Sequence, residues 1–263
     1  MNLNNESQTL FIPLYGKAMM SKNNLFLKDT KAEEIITSID YDFSKLRQSK
    51  WLSMYMSARA MIIDEICNDY IANHLDAVIV HIGCGMDSRP LRVTQSYKKW
   101  YDVDFESVIS LRKNYYSENK KYTMIGKSAT DLTWIDEIIP TSEILIIAEG
   151  LTMYLTEDEI KSIIERLNSR FGKVKILFDA YSKKAVKVSR IKNPVRQINA
   201  SVKWGMNEPE DFKKLSKNLV YIRTYPIKHS EENLKGFTKF IFEKIYCGRI
   251  SENYYKIFEF DLR

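Results

Sequence analysis

Cysteine and histidine are both scarce in this chain, with three of each among 263 residues. Cys67, Cys84 and Cys247 lie far apart, so they form neither a CxxC redox motif nor the ligand spacing of a structural zinc site. An odd number of widely spaced cysteines is typical of proteins in a reducing compartment. We therefore predict a cytoplasmic location and expect no metal ion.

Long apolar runs and strong charge are also lacking. No apolar run approaches the roughly 18 residues that a membrane-spanning helix needs, and the polar start MNLNNESQT lacks the apolar segment of a signal peptide. The net charge of +6 permits an acidic partner but does not require nucleic acid. We expect neither a membrane nor a nucleic acid as partner.

The most informative stretch of the sequence is residues 77–104. The apolar, β-branched run 77–82 has the composition of a strand buried on both faces of a parallel sheet. A glycine-rich turn, 83–87, follows it, and a second short strand, 100–103, ends at Asp104. This order of strand, turn and acid is typical of the mononucleotide-binding half of an α/β fold, in which the acid can accept both ribose hydroxyls.

Two residues of the turn distinguish between nucleotide-like cofactors. Dinucleotide-binding turns usually contain a third glycine beneath a pyrophosphate, and here Ser88 stands at that position. Asp87 lies just inside the turn, where a carboxylate suits a cation better than a pyrophosphate. S-adenosylmethionine (SAM) has a ribose, a sulfonium and an ammonium but no phosphate, so it fits this pattern. A generic α/β turn with a solvated aspartate is the alternative.

Predicted strands alternate with helices over most of the chain. The strands are expected at 77–82, 100–103, 122–125, 144–148, 174–178, 220–225 and 255–260. Alternation of this kind predicts an α/β fold with a doubly wound, Rossmann-like sheet of seven strands. The last strand alternates apolar and polar residues, and we expect it at the edge of the sheet.

Helices are expected on both sides of that sheet. Residues 9–22 contain Pro13 and Gly16 and are predicted to form a loop or a short helix. A capping box formed by Thr156 and Glu159 opens one of the later helices. The predicted helices are 31–39, 51–74, 88–96, 105–117, 156–170, 208–217 and 231–246.

The whole chain, 1–263, is expected to form one domain. Its parts are an N-terminal helical extension (1–76), a cofactor-binding core (77–182), a helical cap insert (183–217) and a closing strand–helix–strand unit (218–263).

Acids follow several of the predicted strands. Asp104, Glu149 and Asp179 end strands, and Asp87 and Asp131 lie in the following loops. Ligands of open α/β sheets bind at the carboxyl ends of the strands, so a convergence of these acids would suit a cationic cofactor. Any one of them alone could instead cap a helix.

The segment 183–207 is basic, contains no acid and interleaves its charges with apolar residues. It is predicted to be an amphipathic insert near the carboxyl ends of the strands. It forms either a solvated helix face or a cap that presents positive charge to an anionic substrate such as a carboxylate. Its basic residues are Lys183, Lys184, Lys187, Arg190, Lys192, Arg196 and Lys203.

Several motifs occur together in a fixed order. They are TLFIPLYGKAMMSK (9–22), IDYDF (39–43), AVIVHIGCGMDSR (77–89), WYDVDFESVI (100–109), SATDLTWID (128–136) and AEGLTMYL (148–155). With them, and with the helix that carries Arg59, the chain resembles the leucine carboxyl methyltransferase-like family of class I SAM-dependent methyltransferases. That family includes polyketide O-methyltransferases of the tetracenomycin type. After Asp179 the match weakens, although Trp204 and Gly205 are recognisable.

The resemblance implies SAM as the cofactor and assigns it binding residues. Gly83, Gly85 and Asp104 would form the core of the site, with Asp104 on the ribose. Asp131 and Leu132 would contact the adenine.

The same resemblance places charged groups around the methionine part of SAM. Arg59, together with Lys22, would hold the SAM carboxylate, because a guanidinium pairs with a carboxylate bidentately. Glu149 would lie near the methionine portion, and Tyr154 would face the substrate. The other residues expected at the cofactor are Asp87, Phe105 and Gly150.

These features predict a SAM-dependent O-methyltransferase that acts on a carboxylate or hydroxyl of a small molecule or peptide. A carboxylate is ionised at neutral pH and needs no base, whereas a hydroxyl does. No clear base is evident, because His81 lies inside the first strand and His229 lies in a late loop. Asp179 and Tyr154 are candidates. The lack of an obvious base favours a carboxylate, and therefore an anionic acceptor.

Three other functions are weighed against this one. An NAD(P)-dependent oxidoreductase shares the strand–turn–acid layout, but Ser88 and Asp87 count against it. An amino-methylating nucleic-acid enzyme would carry an Asn/Asp-Pro-Pro-Tyr/Phe motif where this chain has Glu149, Gly150 and Leu151. A SAM-binding protein without turnover is compatible with the sequence, because the acids named above serve binding rather than chemistry.

Overall fold

A mixed sheet of seven strands forms the centre of the protein. The computed structural model describes residues 7–191, 201–227, 234–248 and 253–263. The strands are β1 (Val78–Ile82), β2 (Lys99–Asp104), β3 (Tyr122–Gly126), β4 (Ile144–Ala148), β5 (Val174–Tyr181), β6 (Leu219–Tyr225) and β7 (Tyr255–Leu262). Their order is β3-β2-β1-β4-β5-β7-β6. Strands β1 to β5 are parallel, and β7 runs antiparallel to both β5 and β6.

The order of the strands creates a switch point between β1 and β4, where the chain changes its direction of travel across the sheet. A crevice opens at such a point outside the carboxyl ends of the strands. The doubly wound, Rossmann-like sheet predicted from the sequence is confirmed.

The prediction that the last strand lies at the edge is wrong. Strand β7 lies between β5 and β6, and β6 forms the edge. The physical reason is burial on both faces, because Ile257, Phe258 and Phe260 are all less than 3 % exposed. Glu259 contributes the polar position that makes the sequence of β7 alternate. Its charge is compensated by Lys175 of β5, with the two charged atoms 2.5 Å apart.

Helices cover both faces of the sheet. They are α1 (Phe11–Lys22), α2 (Thr30–Ser38), α3 (Lys50–Ala72), α4 (Arg89–Arg92), α5 (Glu106–Arg112), α6 (Glu157–Phe171), α7 (Lys183–Ile191), α8 (Pro209–Lys213) and α9 (Gly236–Ile241). The capping box of Thr156 and Glu159 opens α6 as predicted. No helix in the described ranges combines the length and the apolar character that crossing a membrane requires.

Helix α1 is a regular helix of 12 residues where the sequence allowed a loop or a short helix. Pro13 is tolerated because it lies in the first turn, where the backbone N–H has no helical partner. Gly16 brings α1 close to α3, since a Cβ atom there would lie only 3.2 Å from the Cα atom of Ser53. Pro13 and Gly16, which suggested a break, therefore allow the helix to start and to pack closely against α3.

Other predicted helices are longer than the observed ones. Within the predicted helix 88–96 only α4 forms, because Val93 is extended and the Thr94 N–H donates to the Asn68 side chain of α3. The predictions for 105–117 and 208–217 shorten to α5 and α8. In 231–246, α9 continues into the π-helical turn Phe242–Tyr246. His229, and the first part of that predicted helix, lie outside the described residues, as do residues 192–200 of the basic insert.

Candidate active site

A cavity of about 460 Å³ lies at the carboxyl ends of β1, β2 and β4. Residues from the start of α1 and from α3 close it on the side away from the sheet, among them Leu14 and Met56. The predicted site residues that line it are Arg59, Gly83, Gly85, Asp87, Asp104, Phe105, Glu149, Gly150 and Tyr154. The fold therefore brings together most of the predicted site at the expected end of the sheet.

The glycine turn and Asp104 form one structural unit at the end of β1. Gly83 and Gly85 have φ values of +67° and +52°, a left-handed conformation that favours glycine. The Asp104 carboxylate accepts hydrogen bonds from the N–H groups of Gly85 and Phe105, both at 2.8 Å. Asp104 thus holds the turn while its carboxylate lines the cavity.

The Asp104 carboxylate titrates at an unusual pH for an aspartate. Burial raises its pKa to about 6, and the two backbone N–H donors only partly offset that effect. Two nearby ionisable groups of the lining have lower pKa values than Asp104. Burial and the charge of Arg89 lower the pKa of His81 to about 4, and Arg59 and Arg89 outweigh burial to lower the pKa of Glu149 to about 2.

We expect SAM binding to weaken as the pH falls through about 6, because protonation leaves Asp104 a poorer acceptor for ribose hydroxyls. Calorimetric titration with SAM at about pH 7.5 and about pH 5.5 should show a several-fold weaker affinity at the lower pH. Asp104→Asn cannot titrate, so its affinity should be lower at both values and nearly independent of pH. A wild-type affinity that does not change across this range would contradict the ribose role of Asp104.

Arg59 lies in the middle of α3 and joins two of the predicted acids. Its guanidinium donates to Glu149 from Nε at 2.9 Å and lies 3.1 Å from Asp179. It also donates to the Tyr255 hydroxyl at 2.7 Å. The side chain is 4 % exposed and still lines the cavity. Its position suits a clamp on an anionic group, with an orientation fixed by three protein partners.

Asp87 lines the cavity, but its charge is already compensated. Its carboxylate pairs with Lys17 at 2.5 Å and with Arg92 at 3.0 Å, and it accepts from the Arg89 N–H at 2.7 Å. These cations outweigh burial and hold the pKa of Asp87 well below its usual range. The Asp87 oxygens already bind Lys17, Arg92 and the backbone of the turn, and the expected contact of Asp87 with a cationic cofactor stays a prediction.

Lys22 does not take the place that the resemblance gave it. It is exposed at the last position of α1 and lies outside the cavity lining. Lys17, from the same helix, is 2 % exposed and lines the cavity. The cation that α1 contributes beside Arg59 is Lys17. The signal was present in the sequence, because Lys17 falls with Leu14 and Ala18 on the buried face of α1 at helical spacing.

Asp131 and Leu132 are the other predicted residues that the cavity lining does not include. The Asp131 side chain caps the 3₁₀ helix Leu132–Glu137 by accepting from the Thr133 N–H. The preceding residues of the same loop, Ser128 to Thr130, line the cavity instead. The loop lies at the cavity, and the contact of Asp131 and Leu132 with the adenine stays a prediction.

The far half of the cavity has an aromatic wall. Tyr154, Tyr181 and Tyr255 line it, and the rings of Tyr181 and Tyr255 meet edge to face at 4.8 Å. Lys203 also lines the cavity. The sequence predicts a substrate-facing role for Tyr154 but does not point to Tyr181 or Tyr255. They stand opposite each other in the β5–β7 register, which depends on a strand order that the sequence does not show.

The model of the leucine carboxyl methyltransferase family matches residues 4–168, which is more than half of the chain. The chain belongs to this family. It is 33% identical over 207 residues to the tetracenomycin polyketide synthesis O-methyltransferase TcmP of Streptomyces glaucescens, covering 78% of this chain and 77% of that protein. It is 28% identical over 258 residues to the SAM-dependent methyltransferase dpfgK of Gibberella zeae, covering 89% and 87%.

Solved structures of other proteins have the same fold as this chain. A DUF574 family protein from Streptomyces avermitilis superposes with a TM-score of 0.63 at 11% identity, covering 88% of this chain and 95% of that one. A magnesium protoporphyrin IX methyltransferase from Synechocystis with bound SAM gives a TM-score of 0.51 at 13% identity, covering 89% and 98%. At these identities the likeness concerns the fold alone.

The protein is a SAM-dependent methyltransferase, and SAM is its cofactor. The geometry of the cavity fits this cofactor. The left-handed glycines Gly83 and Gly85 line the cavity, Asp104 ends β2 beside them, and Arg59 and Lys17 provide cations for a carboxylate. Asp104, Arg59 and Lys17 are the residues that would hold SAM.

Proposed function

We propose that this methyltransferase transfers a methyl group to the carboxylate of a small anionic molecule. The observation that carries the proposal is the state of the ionisable groups in the described lining of the cavity. In that lining the tyrosines are protonated at neutral pH, and His81 and the carboxylates already accept hydrogen bonds or pair with cations. An acceptor that ionises by itself needs no such base.

The three tyrosines of the aromatic wall are unsuited to be bases. Burial raises the pKa of Tyr154, of Tyr181 and of Tyr255, so all three hydroxyls are protonated at neutral pH. A phenol in this state can donate a hydrogen bond to an anion but does not remove a proton.

The remaining candidates for a base are occupied. The His81 Nε2 atom faces the Arg89 guanidinium at 3.4 Å and can only accept from it, so its lone pair is not available. Asp179 accepts from the Gly150 N–H at 2.7 Å, pairs with Arg59 and does not line the cavity. Glu159 lines the cavity, but it accepts from the Thr156 N–H at 2.6 Å in the capping box of α6.

The chain's own contribution to the reaction is binding and alignment. SAM, when bound, supplies a methyl group on a sulfonium, which is already a strong electrophile. The chain then has to fix the cofactor, align a carboxylate oxygen with the methyl carbon and exclude water, and such positioning supplies about 7–11 kcal/mol in favourable cases. Arg59, Lys17 and Asp104 serve the first task, and the aromatic wall serves the second.

The relatives support a small-molecule acceptor. TcmP is an O-methyltransferase of polyketide synthesis by its name, so oxygen methylation of a small molecule is a natural assignment for this chain. A nucleic-acid or membrane partner is not part of the proposal. The cytoplasmic location stays a prediction, and the burial of Cys67, Cys84 and Cys247 is compatible with it.

The acceptor class can be tested with matched panels of acids and phenols. Purified protein is incubated with SAM carrying a trideuterated methyl group and with aromatic or aliphatic acids, each paired with the corresponding phenol or alcohol. Mass spectrometry is expected to detect labelled methyl esters, which alkaline hydrolysis removes. Labelled ethers in the absence of esters would contradict a carboxylate acceptor and would favour a hydroxyl.

A further inference from the structure

The short segment from Val202 to Met206 is held against the cavity by its backbone. The Lys203 N–H donates to the Met153 carbonyl at 2.7 Å, and the Met206 N–H donates to the Tyr181 carbonyl at 2.9 Å. The segment therefore bridges the loop after β4 and the end of β5, both of which line the cavity.

Side chains of this segment fix its position further. Trp204 is 7 % exposed and packs near Phe178, with ring centroids 6.4 Å apart. A Cβ atom on Gly205 would lie 2.5 Å from the Tyr181 carbonyl oxygen and 2.6 Å from a Val186 methyl group, so only glycine allows this approach. Lys203 thus starts from a backbone position that the fold determines.

Lys203 differs from the other cations of the cavity. Lys17 pairs with Asp87, and Arg59 pairs with Glu149 and Asp179. Within the described parts of the chain, no ion pair is formed by Lys203. Glu159 also lines the cavity, and its carboxylate accepts from Thr156. The Thr156 hydrogen bonds, and to a smaller extent the charge of Lys203, lower the pKa of Glu159, but the two side chains form no ion pair in the described structure.

We propose that Lys203 is a specificity-determining residue that binds the acceptor's carboxylate, while Tyr154 and Tyr181 contact the apolar body of the acceptor. The inference rests on the proposed carboxylate acceptor and identifies the residue that selects it. Lys203 lines the same cavity as the tyrosines and is exposed, and an ammonium there distinguishes an acid from its neutral analogues by charge.

The reaction itself removes the charge that Lys203 recognises. A carboxylate oxygen forms a bond to the methyl carbon, the bond from that carbon to sulfur breaks, and its electron pair stays on sulfur. The ester product is neutral, so its attraction to Lys203 is lost. Lys203 therefore stabilises the bound substrate at least as much as the transition state, and its contribution should appear in KM rather than in kcat.

The test compares three variants of the full chain. Lys203→Met removes the charge and keeps much of the side-chain volume, and Lys203→Arg keeps the charge. Lys187→Met is the matched control, because Lys187 is an exposed lysine of α7 that does not line the cavity. Benzoate, naphthalene-2-carboxylate and hexanoate are used as acceptors, and the corresponding amides serve as uncharged competitors.

In Lys203→Met, KM for the methylated acid is expected to rise about tenfold with little change in kcat. Lys203→Arg and Lys187→Met should stay within about twofold of the wild type, and SAM affinity should be unchanged in all three. The amides should compete poorly with the acid in the wild type and about as well as the acid in Lys203→Met.

Unchanged KM and unchanged acid–amide discrimination in Lys203→Met would overturn the inference while leaving the proposed function intact. A fall in kcat without a change in KM would also overturn it. If the wild type forms ethers from phenols and no esters from acids, the proposed function itself fails, and the inference fails with it. Proper folding of Lys203→Met is verified by its unchanged SAM affinity.

Discussion

Replacing Arg89 with methionine is expected to lower the free energy of unfolding by about 3–5 kcal/mol. Arg89 is completely buried and lies beneath the cavity. Its Nε atom donates to Asp64 of α3 at 2.6 Å, and its Nη2 atom donates to Glu149 at the end of β4. Removing the guanidinium takes one of two cationic partners from each carboxylate, because Asp64 keeps Arg92 and Glu149 keeps Arg59. The buried cluster of ion pairs is then left with too little positive charge, which is costly.

The matched control for this prediction is Arg166→Met. Arg166 pairs with Asp136, but both side chains are substantially exposed. Such a surface pair contributes about 0–1 kcal/mol, so its loss should be small. Urea denaturation followed by circular dichroism gives both values. A loss below about 1 kcal/mol for Arg89→Met, similar to that of the control, would show that the buried ion pairs do not stabilise the fold.

Replacing Asp104 with alanine is expected to weaken SAM binding by about tenfold to a hundredfold. The carboxylate holds the turn through the Gly85 N–H and is the acid that the ribose hydroxyls would contact. Hydrogen bonds to a charged acceptor contribute about 1.5–3 kcal/mol, which corresponds to this range of affinity.

Calorimetric titration with SAM measures this effect directly. Glu165→Ala is the control, since Glu165 is an exposed acid of α6 and does not line the cavity. Its affinity for SAM should equal that of the wild type. Equal affinities of the wild type and Asp104→Ala would contradict the assignment of Asp104 to the cofactor.

Local sequence signals were sufficient for the parallel strands and for the glycine turn. The strand 77–82 is apolar except for His81, and 144–148 has the bounds that the structure gives to β4. Both strands are buried on each side, so composition alone identifies them. The acids after these strands could be placed at one edge because parallel strands end together.

Partners that are distant in the sequence explain what could not be predicted. The sequence shows that Asp87 is an acid next to a glycine turn. The compensation of its charge by Lys17 and Arg92, however, depends on how α1 and α4 pack. The position of Tyr255 in the cavity depends on β7 inserting antiparallel beside β5. Neither arrangement leaves a periodic or compositional signal in the residues themselves.

The choice between Lys17 and Lys22 illustrates the limit of motif matching. Both lysines lie in the same motif and on the same helix, five positions apart. Helical geometry puts Lys17 on the buried face with Leu14, while Lys22 reaches the exposed end of α1. Periodicity within the helix was a better guide to the site than the motif alone.

The most direct test of the account is calorimetric titration of the purified chain with SAM and, in parallel, with NADH. We expect SAM to bind with one molecule per chain and NADH not to bind, because Ser88 stands where a dinucleotide-binding turn has the third glycine beneath the pyrophosphate. Binding of NADH without binding of SAM would contradict the account at its centre.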